Sequence, residues 1–206
     1  VDASGLELRM LAHYMNDKDY IYEVVNGDIH TTNQIAAGLN SRDESKTFIY
    51  AFIYGAGSKK IGSIIGGSEK DGERIKEKFL KATPSLKHLR EKVERIASRR
   101  WVKGLDQRKI IIRYPHAALN TLLQGAGATV MKYALTLLQE YVSIKQIKAF
   151  PVVNVHDEFQ YEVEESRVEE FGRLAVQSII DAGKQLNIRC PLNAKYKVGN
   201  NWSETH

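Results

Sequence analysis

The chain has 206 residues, 43% of them hydrophobic and 27% charged, which gives room for one domain or two small ones around a real core. A net charge of +5 at pH 7 suits an anionic partner without specifying one. The single cysteine, Cys190, excludes an internal disulfide, no apolar run approaches the ~20 residues of a membrane-crossing helix, and no signal-peptide pattern opens the chain, so a soluble protein of a reducing compartment is expected.

The opening VDASGLELRMLAHYM runs directly into patterned sequence, and the expectation is a piece of a longer chain. Residues 1–3 read as the end of a strand, and 6–15 as a helix with Leu6, Met10 and Leu11 on one side. After a polar stretch over 16–19, YEVVNGDIH fits either helix or loop. NSRDESKTFIYAFIYGAG carries the clearest helix start: Ser41 and Glu44 have the spacing of a capping box, and Gly55 and Gly57 supply the stop. Residues 68–98, rich in Lys, Glu, Arg and Leu, suggest two helices broken near Pro84. KIIIRY after GLDQ reads as a turn and a strand, and HAALNTLLQGAGATVMKYALTLLQEYV as a long helix with small residues at its middle. In VVNVHDEFQYEV, Val152, Val153 and Val155 lead into a tip, after which Phe159, Tyr161 and Val163 alternate with Gln160 and Glu162, the pattern of a hairpin. A helix over about 165–186 and a last strand with Leu192, Ala194, Tyr196 and Val198 alternating complete the chain. Strands at both ends and helices between predict an α+β fold with a mostly antiparallel sheet. Residues 16–112 form a helical insertion between sheet-bearing parts at 1–15 and 113–206.

The hairpin tip places Asp157 and Glu158 side by side after His156. Adjacent carboxylates repel, more beside an apolar sheet than in open water. Either the tip lies idle in solvent or something cationic sits there. The helix from Arg42 carries Arg42, Lys46, Tyr50 and Tyr54 at four-residue spacing, each ~40° around from the last, in one winding stripe. Its cations lie at the N-terminal end, where the helix dipole disfavours each by ~0.3–1 kcal/mol. A solvated basic edge over two core tyrosines is one explanation. The other is a site for a multiply charged anion such as a triphosphate, with an aromatic face for a base. With Asp2 as a further carboxylate at a strand end, acids from separate strands could hold two divalent metals ~3.5–4 Å apart for phosphoryl transfer.

DASGLELR (2–9), RDESKTFIYAFIYG (42–55) and HDE (156–158) resemble, in order and spacing, motifs A, B and C of the family A DNA polymerases, with the motif B pattern R-x3-K-x3-Y-x3-YG intact. GDIHTTNQIAAGL and PHAALNTLLQ are similar to the intervening stretches of the replicative polymerases of short-tailed bacteriophages. The resemblance covers nearly the whole chain. It implies an antiparallel palm sheet carrying motifs A and C, with residues 16–112 as the fingers. Asp2 and Asp157 would be metal ligands, assisted by the backbone carbonyl of Ala3, with Glu158 supporting. The cofactors implied are two divalent cations, magnesium or in its place manganese. Arg42, Lys46 and His30 would hold the phosphates of the incoming deoxynucleotide, Tyr50 would stack on its base and sugar, and Glu7 would close off the ribose 2′-hydroxyl. Tyr54 would sit at the templating position, and Arg113, Asn120, Gln124 and His156 would face primer–template DNA. The implied setting is the cytoplasm of a bacterium or a phage-infected cell.

The family has a thumb, and usually an exonuclease or its relic, ahead of motif A, whereas here motif A starts at residue 2. A thumb, an exonuclease portion or a partner chain is therefore expected to be missing. Three readings follow: a polymerase catalytic core; a two-metal nuclease, which has no need of the Arg–Lys–Tyr–Tyr helix; and a fragment that binds nucleotide or DNA but is inactive without its missing part.

Overall fold

A computed structural model describes residues 1–205. In chain order the elements are β1 (Asp2–Ala3), α1 (Leu6–Met15), α2 (Lys18–Asn26), α3 (Ile29–Ala37), α4 (Arg42–Ile53), α5 (Ser58–Ile64), α6 (Glu69–Ala82), α7 (Pro84–Ala97), β2 (Trp101–Lys103), β3 (Lys109–Ile111), α8 (Ala118–Lys145), β4 (Ala149–Val155), β5 (Glu158–Val163), α9 (Val168–Gln185), β6 (Ala194–Lys195) and α10 (Trp202–Thr205). They form two compact units, one of Val1–Met10 with Gly125–His206 and the other of Leu11–Gln124. Among the described residues no helix is long and apolar enough to cross a membrane.

The first unit is built on an antiparallel sheet in the order β4-β5-β1-β6. Phe159 of β5 is fully buried, with Tyr161 edge-on to it at 5.8 Å and Phe171 of α9 against Tyr161 at 5.0 Å. The alternation over 192–198 predicts a longer last strand than is found, since only Ala194 and Lys195 pair. Leu192 and Tyr196 instead face glycines of α9: a Cβ at Gly183 would meet Leu192 at 2.8 Å, and one at Gly172 would meet the Tyr196 ring at 2.4 Å. Close packing on a helix, rather than a sheet face, accounts for the Leu192 and Tyr196 part of that periodicity.

The second unit is mostly helical, and side chains at the helix starts explain its divisions. Asp17 accepts from the backbone N–H groups of Asp19 and Tyr20 and starts α2. The segment YEVVNGDIH proves to be the end of one helix and the start of the next, because Asp28 accepts from His30 N and begins α3. Ser41 caps α4 by accepting from Glu44 N at 3.1 Å, but Glu44 returns to Asn40 N instead of closing the box on Ser41. The reciprocal capping box is at Ser68 and Asp71, ahead of α6. Gly55, at φ +78, follows α4 as expected, whereas Gly57 begins α5 rather than ending α4. Pro84 stands at the first turn of α7, where its missing N–H is not needed. Phe48, Phe52 and Phe79 pack edge-on or tilted with ring centroids 5.1–5.8 Å apart and fix α4 on α6. β3 pairs with β2, a strand that the sequence reading omits.

Candidate active site

In the first unit the acidic residues are gathered by strand pairing. β1 lies between β5 and β6, with Asp2 opposite Glu158 on one side and Lys195 on the other. Ala3 N donates to Asp157 O at 2.9 Å, and Phe159 N donates to Val1 O at 3.0 Å. Motif A and the hairpin tip, 155 positions apart in the chain, are thereby neighbours. Val155 pairs with Glu158, so His156 and Asp157 are the two-residue hairpin loop, and His156 takes the positive φ of +54 that the favoured tight turns ask of their first loop position. Asp2 and His156 are exposed, while Asp157 and Glu158 are half-buried. Gln160 Nε2 donates to Glu158 Oε1 at 2.8 Å, which gives that carboxylate a neutral partner.

The turn after Asp2 is held by Arg9. Its Nε donates to Ser4 O at 2.7 Å and its Nη1 to Pro191 O, and the residue is 9% exposed. The sequence reading quotes Arg9 within its motif but gives it no part. A cation on the buried side of a short helix was the available signal. Glu7 sits half-buried in the first turn of the same helix, α1.

In the second unit, α4 turns Ser45, Phe48, Ile49, Phe52 and Ile53 inward and leaves Arg42, Lys46 and Tyr54 exposed, with Tyr50 half-buried. α3 and α4 are locked together where Ser45 Oγ donates to His30 O at 2.7 Å. His30 thereby lies beside the stripe, its ring 6.4 Å from that of Tyr50. Burial lowers the His30 pKa, and Arg42 and Lys46 lower it further against the opposing pull of Asp28. His30 Nδ1 is buried without a hydrogen-bond partner among the described residues. Arg42 Nε pairs with Asp28 Oδ2 at 2.7 Å, an ion pair that sequence reasoning does not contain. The hydrogen bond from Arg42, then that from Thr31, holds the Asp28 carboxyl well below the usual carboxylate range. One residue thus caps α3 and orients the first cation of α4.

Tyr54 and Gln124 also meet in this unit, Gln124 Nε2 donating to Tyr54 Oη at 3.1 Å. Asn120, one turn earlier on α8, has its Nδ2 buried with no partner among the described residues. Arg113 is exposed just beyond β3.

Among the described residues no group of three or more His, Cys, Asp and Glu side chains is arranged to hold a metal ion. The donor set that the β1–β5 ladder does assemble is all oxygen, from carboxylates on adjacent strands, and such hard ligands fit Mg²⁺ or Mn²⁺ rather than a soft metal.

Fold and site define a class: an α+β protein with acids gathered on a small antiparallel sheet and a separate helix bearing cations and tyrosines. Comparison with known proteins is more specific. The model of DNA polymerase family A matches residues 1–204. The chain is 43% identical to the DNA-directed DNA polymerase of Escherichia phage T7 and 42% identical to that of Enterobacteria phage T3, in each case over 100% of this chain and 33% of the relative. A solved structure, the polymerase domain of Pol1 from M. smegmatis in complex with DNA primer-template and dNTP, superposes with a TM-score of 0.78 at 20% identity, covering 88% of this chain and 36% of that one. This chain belongs to DNA polymerase family A. It spans about a third of the length of the phage relatives.

Proposed function

We propose that this chain is the catalytic core of a template-directed DNA polymerase, extending a primer 3′ end with deoxynucleotides by two-metal phosphoryl transfer in phage or bacterial DNA replication. The observation that carries the reading is the pairing of β1 with the hairpin, Asp2 opposite Glu158 and Ala3 N bonded to Asp157 O, in a chain of this family. Asp2 and Asp157, with the backbone carbonyl of Ala3, would hold the two divalent cations. Bound there, such ions supply charge neutralisation for the attacking and leaving oxygens of an in-line displacement. Arg42 and Lys46 bind the triphosphate, Arg42 through a guanidinium fork that Asp28 already orients. His30, biased toward its neutral form, adds a hydrogen bond through its unsatisfied nitrogen. Tyr50 stacks on base and sugar, and Glu7 excludes a ribose 2′-hydroxyl. Tyr54 marks the templating position while bonded to Gln124. Asn120 and Gln124 offer amide donors to the acceptors that every base pair shows in the minor groove, and Arg113 and His156 contact primer–template phosphates. Residues 1–15 and 113–206 serve as palm and 16–112 as fingers.

A second reading, that the chain binds nucleotide or DNA but needs a thumb or partner chain to turn over, is favoured by its spanning a third of its relatives' length. Primer extension at low salt, with Mg²⁺ and all four deoxynucleotides, separates the two. The core reading expects longer products that disappear with Asp2→Asn and with Asp157→Ala, while binding of a labelled primer–template stays near wild type. Unextended primer with intact binding supports the second reading. Loss of binding and extension together in Asp157→Ala would make the hairpin tip structural.

A further inference from the structure

His30 and Arg42 come from different helices, yet one carboxylate holds both. Asp28 Oδ1 accepts from His30 N at 3.2 Å, while Oδ2 accepts from Thr31 Oγ1 at 2.8 Å and from Arg42 Nε at 2.7 Å. Capping alone does not account for the arrangement, because the α3 cap needs only Oδ1 and Asn would supply that oxygen equally well. Stability does not account for it either. The Arg42 and Asp28 side chains are 51% and 44% exposed, and ion pairs so open to water contribute little to folding. What the pair does achieve is to fix a long side chain that otherwise samples many rotamers. Arg42 is held through Nε, the nitrogen nearest its backbone, and has no other partner residue among the described residues. Its terminal N–H groups are left for a second anion. His30 Nδ1 is buried beside it without a partner. The two are close enough that, after burial, the Arg42 charge is the next cause of the lowered His30 pKa.

We propose that Asp28 is a positioning residue for the triphosphate of the incoming nucleotide, acting through Arg42 and setting the affinity of the site without touching the ligand. Two effects of opposite sign meet at this carboxylate. Its negative charge opposes a phosphate, but that charge is already offset by Arg42 and by the N–H groups at the start of α3. Against it stands the ordering of Arg42, which the fold completes before the ligand arrives. Without Asp28 the guanidinium is mobile, and the ligand bears the cost of immobilising it. Ordering outweighs repulsion here because water screens the exposed carboxylate while the loss of rotamer freedom is unscreened. The inference rests on the reading of Arg42 as a triphosphate ligand. It does not depend on the metal site, on DNA or on turnover.

Sodium tripolyphosphate is titrated calorimetrically into the full chain at low salt without divalent cations, with circular dichroism to check folding. Wild type should bind it saturably. Asp28→Asn keeps an oxygen for the α3 cap and loses the charge that holds Arg42, so it should weaken binding by roughly three- to tenfold. Arg42→Ala should weaken it at least as much. Adding Asp28→Asn to Arg42→Ala should then change nothing further, since a residue that acts through Arg42 has no effect in its absence. A merely structural role for Asp28 predicts losses that add. Four results would overturn the proposal: no saturable binding by wild type, unchanged or tighter binding by Asp28→Asn, additive losses in the double variant, or wild-type binding by Arg42→Ala. Tighter binding by Asp28→Asn would make the carboxylate a competitor of phosphate for Arg42, and wild-type binding by Arg42→Ala would also remove Arg42 from the triphosphate site. Primer extension needs metal and DNA whereas this titration needs neither, so failure here and failure of the polymerase reading are separately readable.

Discussion

Tyr14 is a residue whose chemistry is set by what surrounds it. Its hydroxyl is buried with no hydrogen-bond partner among the described residues. Burial first, and the nearby Asp106 carboxylate second, push its pKa up to about 12 from 10.0. The folded chain therefore keeps this phenol protonated to higher pH than the unfolded chain, which releases the proton near 10. Above that value the unfolded state binds fewer protons, and stability falls as pH rises toward about 12. Tyr14→Phe removes both the titration and an unsatisfied polar group. At pH 7 it should leave stability unchanged or raise it by up to ~1–3 kcal/mol, the cost of burying an unpaired donor. Urea midpoints should then decline less steeply above pH 10 in the variant than in wild type. Equal slopes would mean that the phenol is not the group responsible. Nothing in the sequence marks Tyr14, nor the pairing of Asp28 with Arg42, because neither rests on a local pattern.

Where α5 meets α6, glycine rather than apolar pattern decides the geometry. Gly62 of α5 and Gly72 of α6 face each other's backbones: a Cβ at Gly72 would lie 2.0 Å from Ser58 O and 2.6 Å from Gly62 N, and one at Gly62 would lie 2.0 Å from Ser68 O. Backbone cannot swing aside as a side chain can. Helix propensity alone favours Gly72→Ala by ~1 kcal/mol, so the two effects have opposite signs. Overpacking of this kind typically costs about 1–3 kcal/mol or more, and against backbone it should exceed the propensity gain. Gly72→Ala should therefore destabilise the chain, lowering its thermal midpoint and urea midpoint, whereas a gain would show that α5 shifts freely. The same contacts explain what could be read beforehand. Long, well-patterned elements were legible: α4 from Ser41, the pair α6 and α7 around Pro84, α8, and the β4–β5 hairpin. α5 has seven residues and a glycine inside, and β2 has three, too short for either period to register. Asp2 and Asp157 could be named from their motifs, but only the pairing of β1 with the hairpin shows what makes their backbones neighbours.

Over the whole molecule the charge is unevenly divided, and the division matches the proposed chemistry. Residues 11–124 hold 20 Lys and Arg against 13 Asp and Glu, a net +7, while residues 1–10 with 125–206 hold 10 against 12, a net −2. The basic unit suits a polyanion, and association with it should be strongly salt-dependent. The acidic unit repels phosphate unless cations sit on Asp2 and Asp157, the two residues that the proposed chemistry requires. Binding and catalysis therefore make opposite demands on those two carboxylates. In EDTA, the double variant Asp2→Asn with Asp157→Asn should bind a labelled primer–template as tightly as wild type or a few-fold more tightly, since two negative charges that repel phosphate are removed. Adding Mg²⁺ should tighten wild type and leave the variant unmoved, although general screening by the added salt weakens both. Fluorescence anisotropy at constant ionic strength isolates the specific part. Tighter binding by wild type in EDTA would mean that the carboxylates hold the β1–β5 ladder together rather than waiting for metal, and the site would have to be sought elsewhere on the sheet.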